Sequence, residues 1–186
     1  MLICENIRRT YGDKCVISDF SFRFPEKGFF ALTGESGKGK TTLLRLLCGL
    51  DRPDTGYIRC TGTVAAAFQE YRLFDRLTAV QNISEVLSVS PEVARTALCD
   101  FGFSPEECDK HPAQLSGGMK QRVSLLRALL SDADILLLDE PVKELDPART
   151  QQVMQRLKEE SSRRLVIFTA HDPHAAEAVG AHAIFV

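Results

Sequence analysis

Between an apolar run, Phe29 to Thr33, and a leucine-rich stretch ending at Gly49, the chain reads Gly34-Glu35-Ser36-Gly37-Lys38-Gly39-Lys40-Thr41-Thr42. Through Thr41 this matches G-x-x-x-x-G-K-[ST], a loop whose glycines let backbone N–H groups curl around phosphate oxygens. The strand before it and the helix after it are the setting such a loop requires, and the helix N-terminus adds the positive end of its dipole. Lys40 is placed to neutralise β and γ phosphates, and Thr41 to hold Mg²⁺ through its hydroxyl. Lys38 adds a second cation, read either as a phosphate contact or as solvated charge. Further along, Ile135-Leu136-Leu137-Leu138-Asp139-Glu140 puts two acids at the C-terminal end of a fully apolar strand, where open α/β sheets bind their ligands. Asp139 is expected in the Mg²⁺ shell. Glu140 is expected to act as the general base that polarises an attacking water.

A third segment lies between these two. Leu115-Ser116-Gly117-Gly118-Met119-Lys120-Gln121-Arg122 precedes a helix read from Met119 to Leu130, and Ser116 with its two glycines offers a seat for another phosphate-sized anion. One chain thus carries two phosphate-binding helix starts. At this point the sequence resembles the ATP-binding cassette (ABC) ATPases, whose signature is a Leu-Ser-Gly-Gly segment between the P-loop and the acidic strand. Order and spacing agree over nearly the whole chain.

The resemblance implies ATP and Mg²⁺ as ligands. It also implies a homodimer in which two cassettes pair head to tail, each ATP enclosed by the loop Gly34 to Thr42 of one chain and by Ser116, Gly117 and Gly118 of the other. Tyr11, in RRTYGDK, matches the aromatic residue that stacks on adenine. Gln69, in AFQEYRLF, matches the glutamine that reaches Mg²⁺ and the attacking water. His171, in FTAHDPH, matches the switch histidine that contacts the γ-phosphate, and Asp146, in KELD, the aspartate of the loop between protomers. His111, His174 and His182 have no match and read as surface residues.

AFQEYRLFDRLTAVQNI further resembles importer cassettes of the bacterial nitrate, taurine and aliphatic sulfonate type. That resemblance implies transmembrane permease subunits as partners, an extracytoplasmic substrate-binding protein, and a place on the cytoplasmic face of the membrane. Tyr71, Leu73, Phe74, Leu77 and Val80 form a dense apolar run where the family receives a short helix of the permease; packing of the insert onto the core is the other reading of the same residues. A soluble ABC ATPase acting on DNA or ribosomes is the rival function, but the chain has neither the long coiled coils nor the second cassette of those proteins. Departures are visible too. Met119 stands where the signature usually has glutamine, Lys143-Glu144 replaces a small Ser-Ala pair, and the chain stops at Phe185-Val186 where relatives usually continue.

These residues need strands interleaved with helices to position them. The expected fold is α/β: a P-loop core on a mainly parallel sheet, an N-terminal antiparallel β segment and a short helical insert. One cassette is expected over residues 1–186, with its core in 1–69 and 131–186 and the insert in about 70–130. Strands are read at Tyr57 to Cys60, Thr63 to Phe68, Leu165 to Thr169 and Ala183 to Val186, and helices start at Ser90-Pro91, Ser104-Pro105, Asp146-Pro147 and Asp172-Pro173. The 186 residues are 44% hydrophobic and 26% charged, the make-up of an ordinary globular chain. Lys and Arg number 23 against 25 Asp and Glu, a net charge of −2 that lacks the basic footprint of a nucleic-acid binder. No apolar run approaches the ~20 residues needed to cross a bilayer, and the N-terminus does not read as a secretory signal. Six cysteines without a C-x-x-C pair suggest reduced, mostly buried thiols rather than a zinc or redox motif.

Overall fold

Short unbroken apolar runs bury both faces of a sheet, and that pattern marks its central strands. The computed structural model describes residues 1–143 and 145–186. In chain order the elements are β1 (Leu2–Tyr11), β2 (Lys14–Phe24), β3 (Gly28–Thr33), α1 (Lys40–Leu47), β4 (Thr55–Cys60), β5 (Val64–Ala67), α2 (Ala79–Leu87), α3 (Pro91–Asp100), α4 (Pro105–Cys108), α5 (Gly117–Leu129), β6 (Ile135–Leu138), α6 (Pro147–Glu160), β7 (Leu165–Thr169), α7 (Pro173–Ala178) and β8 (His182–Phe185). A turn of 3₁₀ helix, Pro112–Gln114, leads into α5.

A parallel sheet runs in the order β5-β6-β7-β3-β8, and a separate antiparallel sheet in the order β2-β1-β4. The period of two sorts the parallel strands' side chains between two cores. Phe30, Leu32, Ile135, Leu137, Leu165 and Ile167 join α1 and the antiparallel sheet in one cluster. Their neighbours Phe29, Ala31, Leu136, Leu138, Val166 and Phe168 meet α5, α6 and α7 on the other face. Strands buried on both faces read as unbroken apolar runs, as parallel sheets demand. A third cluster, with Ile83, Leu98, Phe103, Leu115 and Val123, holds α2 to α5 together.

Caps follow the sequence reading. Ser90, Ser104, Ser116, Asp146 and Asp172 each accept a backbone N–H at the start of α3, α4, α5, α6 and α7. The helix after Ser116 begins at Gly117, not at Met119, because the serine caps it and both glycines take helical positions. The cysteines depart from expectation: all six are free thiols, but Cys15, Cys60 and Cys99 are exposed and only Cys4 and Cys108 are buried. Cys15 and Cys60 lie at the ends of β2 and β4, and Cys99 lies in the last turn of α3. No helix among the described residues is long and apolar enough to cross a membrane.

Strand order decides where chemistry can occur. Because β5, β6, β7 and β3 are parallel neighbours, their C-terminal ends lie along one edge, and the P-loop, Gln69, Asp139 with Glu140, and His171 all follow directly from those ends.

Candidate active site

Gly39 closes the P-loop with φ 107, and a Cβ at this position would stand 2.9 Å from the Val16 carbonyl oxygen. Only glycine satisfies both the left-handed backbone and the close approach of β2. Glu35, Ser36 and Gly37 are exposed along the loop, and Thr42 is half-buried in the first turn of α1. Lys40 is buried, its ammonium donating to the carbonyls of Gly34 at 2.6 Å and Glu35 at 2.9 Å. The cation is therefore fixed under the loop by the same backbone that would surround a phosphate. Lys38 stands out in solvent, 3.7 Å from Glu35, which favours the reading of solvated charge.

A chain of hydroxyls ties the loop to the acidic strand. Thr41 Oγ1 donates to Asp139 Oδ2 at 2.9 Å, and Thr169 Oγ1 donates to Asp139 Oδ1 at 2.8 Å. The Thr169 oxygen in turn accepts the Glu140 N–H at 2.8 Å. Burial pushes the Asp139 carboxyl above its usual range, and the two hydroxyls hold it back. A 4% exposed carboxylate beside a threonine hydroxyl fits Mg²⁺, which takes one or two carboxylates and completes its shell with phosphate oxygens and water. Among the described residues no cluster of three or more His, Cys, Asp or Glu could hold a metal by itself.

Glu140 has φ 48, a left-handed conformation that is strained for a glutamate. Its backbone is pinned on both sides, the N–H by Thr169 and the C=O by Gln121 Nε2 at 2.9 Å. Oε1 lies 2.9 Å from His171 Nε2, and Oε2 lies 2.8 Å from Lys143 Nζ. Burial raises the Glu140 carboxyl, but Lys143 and then His171 outweigh it and hold the group below the usual carboxylate range. The group is thus ionised at neutral pH, the state a base requires. Gln69 sits past the end of β5, exposed, and with Thr41, Phe68 and Asp139 it lines a cleft of about 200 Å³.

Tyr11 ends β1, 45% exposed, donating its hydroxyl to Asp51 at 2.6 Å. The Arg9 guanidinium lies 4.6 Å over its ring. Ser116 and Gly117 are exposed at the N-terminus of α5, Gly118 is half-buried, and Ser116 Oγ accepts the Met119 N–H at 3.3 Å. None of the three lines the cleft of Thr41 and Asp139. Asp146 caps α6 from an exposed position. Met119, the departure in the signature, packs its thioether against the helical core. Of the pair Lys143-Glu144, Glu144 lies outside the described residues.

Three residues of this site escaped the sequence reading or entered it only as oddities. Thr169 is the one hydroxyl in an apolar strand, Leu165–Thr169, which could have marked it. Gln121 stands within the signature segment and reaches the acidic strand from α5. Lys143 was noticed as a misfit, without its place beside Glu140.

Comparison with known proteins agrees with this geometry. The family model described as ABC transporter matches residues 17–143, and a model for an AAA domain matches residues 111–177. The sulfate/thiosulfate import ATP-binding protein CysA of Escherichia coli K12 is 37% identical over 197 residues, covering 94% of this chain and 54% of that protein. The chain therefore spans about half the length of such relatives. The aliphatic sulfonates import ATP-binding protein SsuB 3 of Paraburkholderia xenovorans is 41% identical over 172 residues, covering 90% of this chain and 69% of that protein. In structure, the ATP-binding cassette MJ0796, solved as a dimer in a post-hydrolysis state with ADP and Pi, superposes with a TM-score of 0.89 at 26% identity, over 100% of this chain and 94% of that one. The P-loop and the acidic strand share one parallel sheet, the signature segment lies between them in the chain at the start of α5, and the chain belongs to the ABC transporter family.

Proposed function

We propose that this chain is the ATP-binding and ATP-hydrolysing subunit of an importer, pairing with a second cassette around two ATP molecules. The observation that carries the reading is the run of hydrogen bonds Thr41, Asp139, Thr169, Glu140, which joins the phosphate loop to the base through one rigid path. Lys40 and the loop amides bind the phosphates, and Thr41 and Asp139, with Gln69 at the cleft, hold Mg²⁺. Bound Mg²⁺ would neutralise charge on the phosphate oxygens. Glu140 takes the proton of the attacking water, and His171 orients the Glu140 carboxylate from the end of β7. Tyr11 offers its ring to adenine. Ser116, Gly117 and Gly118 serve the partner's nucleotide, and Asp146 belongs to the loop between the two chains. Residues 1–69 and 131–186 form the cassette's core in this reading, and about 70–130 its helical insert.

Import is supported by the printed functions of the relatives, sulfate/thiosulfate and aliphatic sulfonates import. A permease, a substrate-binding protein outside the membrane and a position on its cytoplasmic face follow from the same reading. Removing the Lys40 ammonium tests the assignment directly. Lys40→Ala is expected to weaken ATP binding by at least about tenfold, the effect of losing one hydrogen bond to a charged group. Parent affinity in that variant would contradict the phosphate role.

The apolar run after Gln69 divides in two. Val80 is buried at 4% and Leu73 packs on the helical core, whereas Phe74 is 54% exposed. Asn82 causes the split. Its buried amide accepts the Phe74 N–H at 2.8 Å and donates to the carbonyls of Phe74, Leu77 and Thr78, which fixes a turn that carries Phe74 outward. Phe74 is the most exposed residue of this run, beside half-buried Tyr71 and Leu77, and is offered to a permease helix seated in a groove. Phe74→Asp should therefore leave stability within about 0.5 kcal/mol of the parent, as exposed substitutions do, and abolish co-purification with the permease. A melting temperature lowered by many degrees with the complex intact would contradict docking at Phe74.

A further inference from the structure

Two cysteines face each other across the turn between α3 and α4. Cys99 is exposed in the last turn of α3, and Cys108 is buried at the end of α4. Both are free thiols, and the Cys108 thiol is in hydrogen-bond contact with that of Cys99. Helical register accounts for the pairing. Residues four apart share one face of a helix, so Arg95 and Cys99 point the same way from α3. Arg95 donates to the Pro105 carbonyl at 3.0 Å and to both carboxylate oxygens of Asp109 at 2.6 and 3.1 Å. Asp109 follows Cys108 directly, so this clamp draws α4 alongside α3 one turn before the thiols meet.

An oxidisable cysteine needs access to the oxidant, a cation nearby and a second thiol within reach. Cys99 has all three. It is exposed, the Arg95 guanidinium lies within electrostatic reach of both sulfurs, and Cys108 is in contact. Burial pushes the Cys108 thiol up to about 11, and the contact with Cys99 adds to the rise. Cys99 therefore meets the oxidant, and Cys108 is the resolving partner. Both residues end their helices, so the sulfurs can close to the ~2.0 Å of a disulfide by movement at two C-termini rather than inside either helix.

We propose that Cys99 and Cys108 form a reversible disulfide when the chain meets a hydroperoxide, clipping α3 to α4. With hydrogen peroxide, the Cys99 sulfur attacks the O–O bond, giving a sulfenic acid and one water. The Cys108 sulfur then displaces the sulfenic hydroxyl, which leaves with the Cys108 proton as a second water. Two electrons pass from the sulfur pair to the peroxide, and a dithiol reductant returns them. The closed loop contains Phe103, whose ring lies 5.1 Å from the Arg122 guanidinium of α5. Oxidation thus stiffens the packing beneath the helix that Ser116 caps.

The test is treatment of the whole chain with equimolar hydrogen peroxide, then alkylation, trypsin and mass spectrometry without reductant. The tryptic peptide 96–110 carries both thiols. It is expected to be lighter by two hydrogen atoms, to resist alkylation, and to recover both thiols in dithiothreitol, while the exposed Cys15 stays alkylated. Cys99→Ser, a change at an exposed position, should abolish the product. Cys108→Ser should leave a sulfenic acid at Cys99 that dimedone traps. Melting curves give a second readout. The oxidised parent should melt about 3–8 °C above the reduced one, with no such rise in Cys99→Ser. A peptide that keeps both thiols while Cys15 is oxidised, or that gains oxygen at Cys99 with Cys108 still alkylated, overturns the pairing. So does a Cys99 linked to any other cysteine. An oxidised parent that melts no higher than the reduced one overturns the clip between α3 and α4.

Discussion

Glu140→Gln is expected to keep ATP binding and to lower turnover by about 10²–10⁴-fold, the usual worth of a positioned general base. The amide is nearly isosteric with the carboxylate and can still meet His171 Nε2, so the loop geometry around Lys40 is preserved. What it loses is the negative charge, and with it the basicity that takes up the water's proton. The left-handed backbone at φ 48 is unaffected, because Thr169 and Gln121 hold it through main-chain atoms. Steady-state hydrolysis and equilibrium ATP binding, measured on the same preparation, separate the two effects. Turnover equal to the parent's would move the base elsewhere, with His171 the next candidate.

The second large effect is expected from Ser116→Arg. Ser116 is exposed at the N-terminus of α5 and lies outside the cleft of its own chain's Thr41 and Asp139. On the proposed reading, Ser116 seats the phosphate of a nucleotide that another chain supplies. The solved cassette MJ0796 is dimeric with ADP and Pi bound, which supports that arrangement. An arginine at this position removes the serine cap, worth about 0.5–2 kcal/mol, and fills the seat with bulk. Hydrolysis should fall to the level of Glu140→Gln. With ATP and Mg²⁺, Glu140→Gln should migrate at twice the mass of the 20.7 kDa chain, and the double variant Glu140→Gln/Ser116→Arg as a single chain. Doubling of the double variant would place the signature outside the interface.

What the sequence made legible follows from what each residue depends on. The strands Ile135–Leu138 and Leu165–Thr169 were read with their observed bounds, because a strand buried on both faces of a parallel sheet is unbroken in its apolarity. The P-loop and the serine and aspartate caps were legible because their geometry is local. The N-terminal hairpin was expected only as an antiparallel segment. Its bounds were obscured because the β1–β2 register shifts between Cys4 and Ile7 and again before Thr10, which breaks the alternation, and Asn6 and Asp19 take positive φ. Thr169, Gln121 and Lys143 were illegible as site residues for a different reason. Thr169 and Gln121 act by reaching an element distant in the chain, and beyond the lone hydroxyl at the end of an apolar strand no pattern announces such contacts. The same holds for Asn82, whose buried amide decides that Phe74 points out while Val80 points in.

A composite site, built from Lys40 and Asp139 of one chain and Ser116 of another, makes ATP affinity depend on protein concentration, because nucleotide binding and association are linked and each strengthens the other by the same factor. The direct measurement is equilibrium binding of ATP with Mg²⁺ to Glu140→Gln, repeated over a wide range of protein concentrations under conditions where hydrolysis is negligible. Half-saturation is expected to move to lower ATP as the chain is concentrated, and to stay fixed when Ser116→Arg is added to the same chain. Half-saturation independent of protein concentration in Glu140→Gln would contradict a site shared between two chains.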